Sequence, residues 1–249
     1  MKAMIFAAGL GTRLRPLTDS MPKALVDVGG MPMLERVIRK LKKNGVTEIV
    51  VNVHHFPDMI TDFLDQNRNF GLTIHVSDER NRLLDTGGGI AKAIGILGDD
   101  EPVLVHNVDI LTDFDVNAML CRHVKSGADA TLLTSDRTTS RYLLFDGEQR
   151  MQGWCNVSTG EVRPHDIDAN SFERLAFGGV HILSPRMLKR LREYSCKEDV
   201  FSIVPFYIDV CREMDIRAFV PDMEYHWVDI GKPESLSLAG KYVSEGILE

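Results

Sequence analysis

Long apolar runs, paired cysteines and surplus positive charge are all missing from this sequence, and each absence excludes a class. No stretch of about 18 apolar residues occurs, so no membrane-spanning helix is expected. The four cysteines are Cys121, Cys155, Cys196 and Cys211. No two stand in the CxxC spacing of zinc knuckles or redox centres, so free thiols in a reducing compartment are expected. Lys and Arg number 29 against 36 Asp and Glu, a formal charge of -7. That excludes a broadly basic wrapper of a nucleic-acid polymer, but not a pocket for a single nucleotide, where local residues decide. None of the eight histidines stands in an HExxH or similar ligand spacing. The N-terminal MKAMIFAA is a short apolar run with one lysine that passes straight into a glycine turn. An export signal needs a longer run, so the chain is expected to be cytoplasmic.

What is present is ordinary globular composition: 249 residues, 44% hydrophobic and 26% charged. Short apolar segments alternate with helical patterns over the first 110 residues. Strands are expected at 3–8, 48–53, 72–76 and 102–106, and helices at 33–43, 58–64 and 88–97. In the first helix Leu34, Val37, Ile38 and Leu41 recur at helical spacing, and Asn44-Gly45 closes it. Such alternation is the pattern of an α/β sheet covered on both faces. A helix at 115–124 and a strand at 128–134 continue it. The rhythm then changes to a hairpin around Asp146-Gly147 and a polar, turn-rich surface stretch at 156–172. A strand at 175–183, helices at 185–192, 201–211 and 233–243, and a strand at 216–220 complete the reading. With no repeat or linker, one domain over 1–249 is expected. Its halves, about 1–110 and 111–249, divide the labour.

The segment AAGLGTRLRPL (7–17) follows the first strand directly. Gly9 and Gly11 let backbone approach a ligand, Thr12 adds a hydroxyl, and Arg13 brings a fixed fork of donors for phosphate. A Gly-x-Gly pair alone also describes a plain tight turn. The segment lacks both the third glycine of a dinucleotide fingerprint and the GKS/T ending of a P-loop. Lys23 follows in a Met-Pro-Lys loop rather than on a helix face. Asp109 lies just past the end of the fourth strand, the edge where ligands bind in open α/β sheets. Asp229, in HWVDIG, ends another short apolar segment and is placed to reach that edge. Two such carboxylates suit Mg²⁺. A turn or helix-cap role is the plain alternative for each.

The run GLGTRLRPLTDSMPKAL (9–25) resembles the signature of the sugar-1-phosphate nucleotidylyltransferases: a glycine loop, Thr-Arg, then Pro-Lys about ten residues on. The resemblance extends through LLDTGGGI (83–90), HNVDI (106–110), FGGVHILS (177–184) and HWVDIG (226–231), almost the whole chain. It implies a Rossmann-like three-layer α/β/α fold. The central sheet would be mixed and predominantly parallel, with a small extension in the second half. It implies catalysis by Arg13, Lys23 and Asp109. The nucleotide would be held by Ala8, Gly9, Leu10, Gly11, Thr12, Arg13 and Lys23, with its base near Gly87 and Gly88. Asn107 and Gly179 would meet the sugar phosphate, and Asp109 and Asp229 would hold Mg²⁺. The implied partners are an NTP and a sugar 1-phosphate, not a nucleic-acid polymer or a membrane, and the chain would be a monomer or homodimer.

LLDTGGGI and HWVDIG are most similar to the short uridylyltransferases acting on N-acetylmuramate 1-phosphate, which points to UTP and a muramate or hexosamine 1-phosphate in cell-wall metabolism. Guanylyltransferases for mannose or heptose 1-phosphate share the first loop. A metal-dependent glycosyltransferase would show DxD where this chain has Asn107-Val108-Asp109. A non-catalytic nucleotide-sugar sensor would have lost Arg13, Lys23 or an aspartate, and all are present. Two departures stand out. Val108 occupies a place usually held by a small residue. A second lysine that binds the sugar phosphate in many members is absent from MQGWCN (151–156), leaving Arg141, Arg150 and Arg163 as candidates.

Overall fold

A computed structural model describes residues 1–248. β1 (Lys2–Phe6) leads through a short ribbon, β2 (Asp27–Val28) and β3 (Met31–Pro32), into α1 (Met33–Lys43). Then β4 (Glu48–Val53), α2 (Pro57–Gln66), β5 (Thr73–Asp78), α3 (Asp85–Leu97) and β6 (Val103–Asn107) follow in alternation. The four longer strands are parallel, in the order β6-β1-β4-β5. β1, β4 and β6 are apolar over most of their length because both faces are covered, while β5, at the sheet's edge, carries Thr73, His75, Ser77 and Asp78 among its apolar residues. In β1, Ala3 and Ile5 join Leu34, Val37, Ile38 and Leu41 of α1 in one core. Met4 turns the other way, to Ile90, Ala93 and Ile94 of α3.

The second half contributes β7 (Ile110–Thr112), α4 (Val116–Ser126), β8 (Ala130–Ser135), β9 (Arg141–Phe145), β10 (Met151–Asn156) and β11 (Glu161–Arg163). After these come β12 (Glu173–Leu183), α5 (Pro185–Ser195), α6 (Ile203–Val210), β13 (Ile216–Phe219), β14 (Trp227–Asp229) and α7 (Pro233–Ser244). β12 inserts antiparallel between β6 and β8, and its first residues pair instead with β9. It thereby carries the central sheet over into the side sheet β9-β10-β11. Its ladder with β8 breaks between Phe177 and His181, where Gly179 takes a φ of +73°. The expected α/β/α class is what forms: a mixed central sheet with mostly parallel strands, flanked by helices, with an extension in the second half.

Two local readings change. α3 begins at Asp85, before the glycine run rather than inside it. The stretch 156–172 contains a third side-sheet strand, β11, paired from Asn156↔Glu161 to Trp154↔Arg163. Its polarity reflects a strand at the sheet's edge.

β7 and β14 form a separate two-stranded ribbon. Leu111 and Val228 bury it, with Ile230, against Ala239 of α7 and Met33 of α1. Its register sets Asp229 opposite Ile110, beside Asp109.

Candidate active site

Gly11 has a left-handed φ of +64°, which a side chain rarely adopts. A Cβ there would also lie 2.8 Å from Thr18 Cγ2 and 3.1 Å from Lys23 Cβ. The loop is therefore folded tightly onto the segment that brings Lys23. Buried Thr18 fastens it by donating its hydroxyl to Gly11 O at 2.8 Å. Ala8 to Arg13 line a cleft of about 610 Å³ at the carboxyl end of β1, with Lys23, Asn107, Val108 and Asp109 on its wall.

Lys23 is buried and donates to the Asp109 carboxylate. Arg13 Nη2 lies 3.9 Å from Asp229 Oδ2. The β7–β14 ribbon holds the carboxylates side by side, and Ile230 N–H donates to Asp109 O at 3.0 Å. Each aspartate of the pair thus faces a cation, Lys23 for Asp109 and Arg13 for Asp229. Gly231 makes this possible, since a Cβ there would collide with the Arg13 guanidinium and sit 2.8 Å from Asp229 Oδ1. Its N–H donates to that same oxygen at 2.7 Å. Among the described residues, no group of three or more His, Cys, Asp or Glu could hold a metal by protein ligands alone. Two adjacent carboxylates are nevertheless the hard-oxygen donor set that Mg²⁺ uses when substrate phosphates complete its shell. The residues fit such an ion.

The other end of the cleft is formed by Leu83, Asp85, Thr86 and Val200. Gly87 and Gly88 lie one layer behind. Their N–H groups donate to Phe201 O at 2.8 and 3.2 Å. A Cβ on Gly87 would strike the Phe201 ring, and one on Gly88 would strike Asp199 O. The glycine run lets 199–201 lie flat on α3, so Thr86 and Val200 line the cleft in its place. Asn52 also lines the cleft and braces it. It accepts from Ala7 N–H at 2.8 Å and donates to buried Glu79 at 2.8 Å, while Glu79 accepts from Leu84 N–H at 3.1 Å. Asn52, Glu79 and Val200 lie outside every motif, whereas Asp85 and Thr86 stand within LLDTGGGI, whose glycines alone pointed to the cleft. A lone polar residue within the apolar run EIVVNV was the one signal for Asn52.

Gly179, expected at the sugar phosphate, packs so closely beside Asn107 that a Cβ there would lie 2.9 Å from Asn107 Nδ2. Val108 is buried in the core beside Phe114, and its N–H donates to Phe6 O at 3.1 Å. The three candidate arginines do not converge on the cleft. Arg150 lies 3.6 Å from both Glu148 and Asp215, Arg163 lies 2.6 Å from Glu161, and Arg141 is exposed on β9.

His106 and His181 are fully buried, and burial pushes both imidazoles down to about 3. They stay neutral, with His181 hydrogen-bonded to the Tyr207 hydroxyl, and serve the core. His54 is tied to Glu79 O at 2.8 Å.

Residues 2–245 match the family model for nucleotidyl transferases. The N-acetylmuramate alpha-1-phosphate uridylyltransferase of Caulobacter vibrioides is 31% identical, over 98% of this chain and 97% of its own length. The mannose-1-phosphate guanyltransferase of Aspergillus fumigatus is 32% identical over 94% of this chain, which spans only 62% of that longer protein. HddC from Yersinia pseudotuberculosis, complexed with GMP-PN, shares the fold with a TM-score of 0.75 at 24% identity, over 97% of this chain and 99% of that one. The chain belongs to the nucleotidyl transferase family, within its group of sugar-1-phosphate nucleotidyltransferases.

Proposed function

We propose that this chain transfers a nucleoside monophosphate from an NTP, UTP in our reading, to N-acetylmuramate 1-phosphate or a hexosamine 1-phosphate. The products are an NDP-sugar and pyrophosphate. The observation that carries the reading is the cleft itself: a glycine loop with Arg13 and Lys23 folded over a carboxylate pair. The choice of UTP is supported by the end-to-end match to a uridylyltransferase of nearly the same length. The similarity to mannose-1-phosphate guanyltransferases keeps GTP as the second reading.

In this reaction an oxygen of the sugar phosphate attacks the α-phosphorus of the NTP. One P–O bond forms there, the bond to the β-phosphate oxygen breaks, and pyrophosphate leaves with that electron pair. No proton need be removed, because a sugar phosphate is already ionised at neutral pH. Among the described residues, no histidine lines the cleft, which accords with that. The protein's work is positioning and charge compensation. Arg13 and the loop backbone would hold the triphosphate, and Lys23 would face the transferring phosphate. Mg²⁺ held by Asp109 and Asp229 would supply further neutralisation of phosphate charge. The ion pairs Lys23–Asp109 and Arg13–Asp229 keep both cations in place before substrate arrives. We place the reaction in the cytoplasm. Among the described residues, no helix is long and apolar enough to cross a membrane.

The test is pyrophosphate release with Mg²⁺, each NTP in turn, and a panel of N-acetylmuramate, hexosamine, mannose and heptose 1-phosphates. Release with UTP and muramate or hexosamine phosphate is expected. Release confined to GTP with mannose or heptose phosphate selects the second reading, and silence with every pair rejects transfer.

A further inference from the structure

Two anionic substrates must share a cleft in an acidic protein, and both cations placed so far, Arg13 and Lys23, are assigned to the nucleotide. The sugar side needs its own. Arg137, in the loop between β8 and β9, is the arginine that folds back toward it. Its Nη2 donates to Phe177 O at 2.8 Å. Its guanidinium lies 4.3 Å from the centre of the Trp227 ring, and Trp227 Nε1 donates to Gly178 O at 2.9 Å. The next residue, Gly179, presses on cleft-lining Asn107. Phe177, Gly178 and Gly179, three consecutive residues where the β12 ladder breaks, thus connect the Arg137 contact to the cleft wall.

This arginine is incompletely partnered. Its Nε–H is buried with no acceptor, and a buried donor without a partner calls for one. Among the described residues no carboxylate lies within 4.0 Å of it to form a salt bridge. Burial works against its charge, and the nearby Asp229 favours it. Its place over the indole and its bond to Phe177 O restrain the fork, whose planar donor set suits an oxyanion rather than a point charge.

We infer that Arg137, with Asp229 near it as Asp229 is near Arg13, holds the phosphate of the sugar 1-phosphate and so takes the place of the absent second lysine. The assignment rests on the proposed transfer reaction for its substrate. It makes Asp229 the point where the two halves of the cleft meet, with one arginine from each.

The experiment compares the wild type with Arg137→Met, which keeps an unbranched apolar stem against Trp227 and removes the charge, and with Arg137→Lys. Losing a charge-assisted hydrogen bond at a phosphate should raise KM for the sugar 1-phosphate by about 10- to 100-fold. KM for the NTP should stay within about twofold, and Arg137→Lys should recover part of the loss. An unchanged sugar-phosphate KM, or a parallel rise in both constants, would overturn the assignment. Binding of N-acetylmuramate 1-phosphate to the whole chain, followed by calorimetry, separates this from the reaction itself. If the wild type releases no pyrophosphate with any pair, transfer fails. Arg137 is then judged by binding alone, where loss in the methionine variant supports it and equal or absent binding rejects it. If Arg137→Met melts early by circular dichroism, Arg137→Lys carries the same comparison.

Discussion

The two sides of the cleft are built on opposite plans. The side we propose for the nucleotide is local: Gly11, Arg13, Thr18 and Lys23 lie within thirteen consecutive residues, and a left-handed glycine and one threonine hydroxyl hold them in shape. The side we propose for the sugar phosphate is assembled from afar. Asn107, Arg137, the 177–179 segment and Trp227 meet only because β12 and the β7–β14 ribbon bring them together. The difference shows where each side is vulnerable. A change in the first strikes ligand contacts directly. A change in the second acts through the placement of strands.

The largest effect should come from Asp109, the carboxylate paired with Lys23. Asp109→Ala is expected to lower kcat by on the order of 10³-fold at saturating Mg²⁺, and substantial retained turnover would reject its metal role. Lys23→Ala should cost about 10²- to 10³-fold in rate. It also leaves Asp109 without its partner, so a wild-type rate would break the claim that the nucleotide side depends on side-chain charge. Gly231→Ala tests the junction sterically. Its methyl group displaces the Arg13 guanidinium, and KM for the NTP should rise by about 10-fold, with a smaller change for the sugar phosphate. Equal changes in both would erase the distinction between the two sides.

Smaller effects sharpen the structural half of the comparison. Gly87→Ala forces a methyl group into the Phe201 ring and should cost about 1–3 kcal/mol of stability by urea titration. A neutral outcome would mean that 199–201 does not need to lie flat. The buried histidines give a pH signature. Their folded pKa of about 3 lies below the unfolded value of about 6.5. The unfolded chain therefore takes protons first as pH falls. Above about pH 6.5 their contribution is constant. Between there and about pH 3 stability should drop by up to about 1.4 kcal/mol per pH unit for each histidine. A urea midpoint that holds steady from pH 7 to pH 5 would contradict neutral imidazoles in the core.

What could be read from the sequence follows the same division. The parallel half of the sheet was legible because strands covered on both faces leave apolar runs, and α1 because its buried stripe recurs at 34, 37, 38 and 41. The glycine loop announced itself through residue types that serve little purpose on a surface. The start of α3 was misplaced by three residues because glycines argue against helix, and only the overlying Phe201 explains them. β11 was missed because a short edge strand has a solvated face and no run to detect. Arg137 carried no motif. Its role depends on a loop folding back onto the broken ladder of β12, and no spacing along the chain encodes that contact.

The position of β12 also governs how the chain can be made. It is the neighbour of β6, β8 and β9, yet it is complete only at Leu183. During synthesis from the N-terminus, β6 therefore stands as an unpaired edge of an otherwise formed four-strand sheet until about 75 further residues have emerged. Such an edge invites pairing with another chain. Nascent chains halted between β6 and β12 should aggregate where chains halted after Leu183 do not.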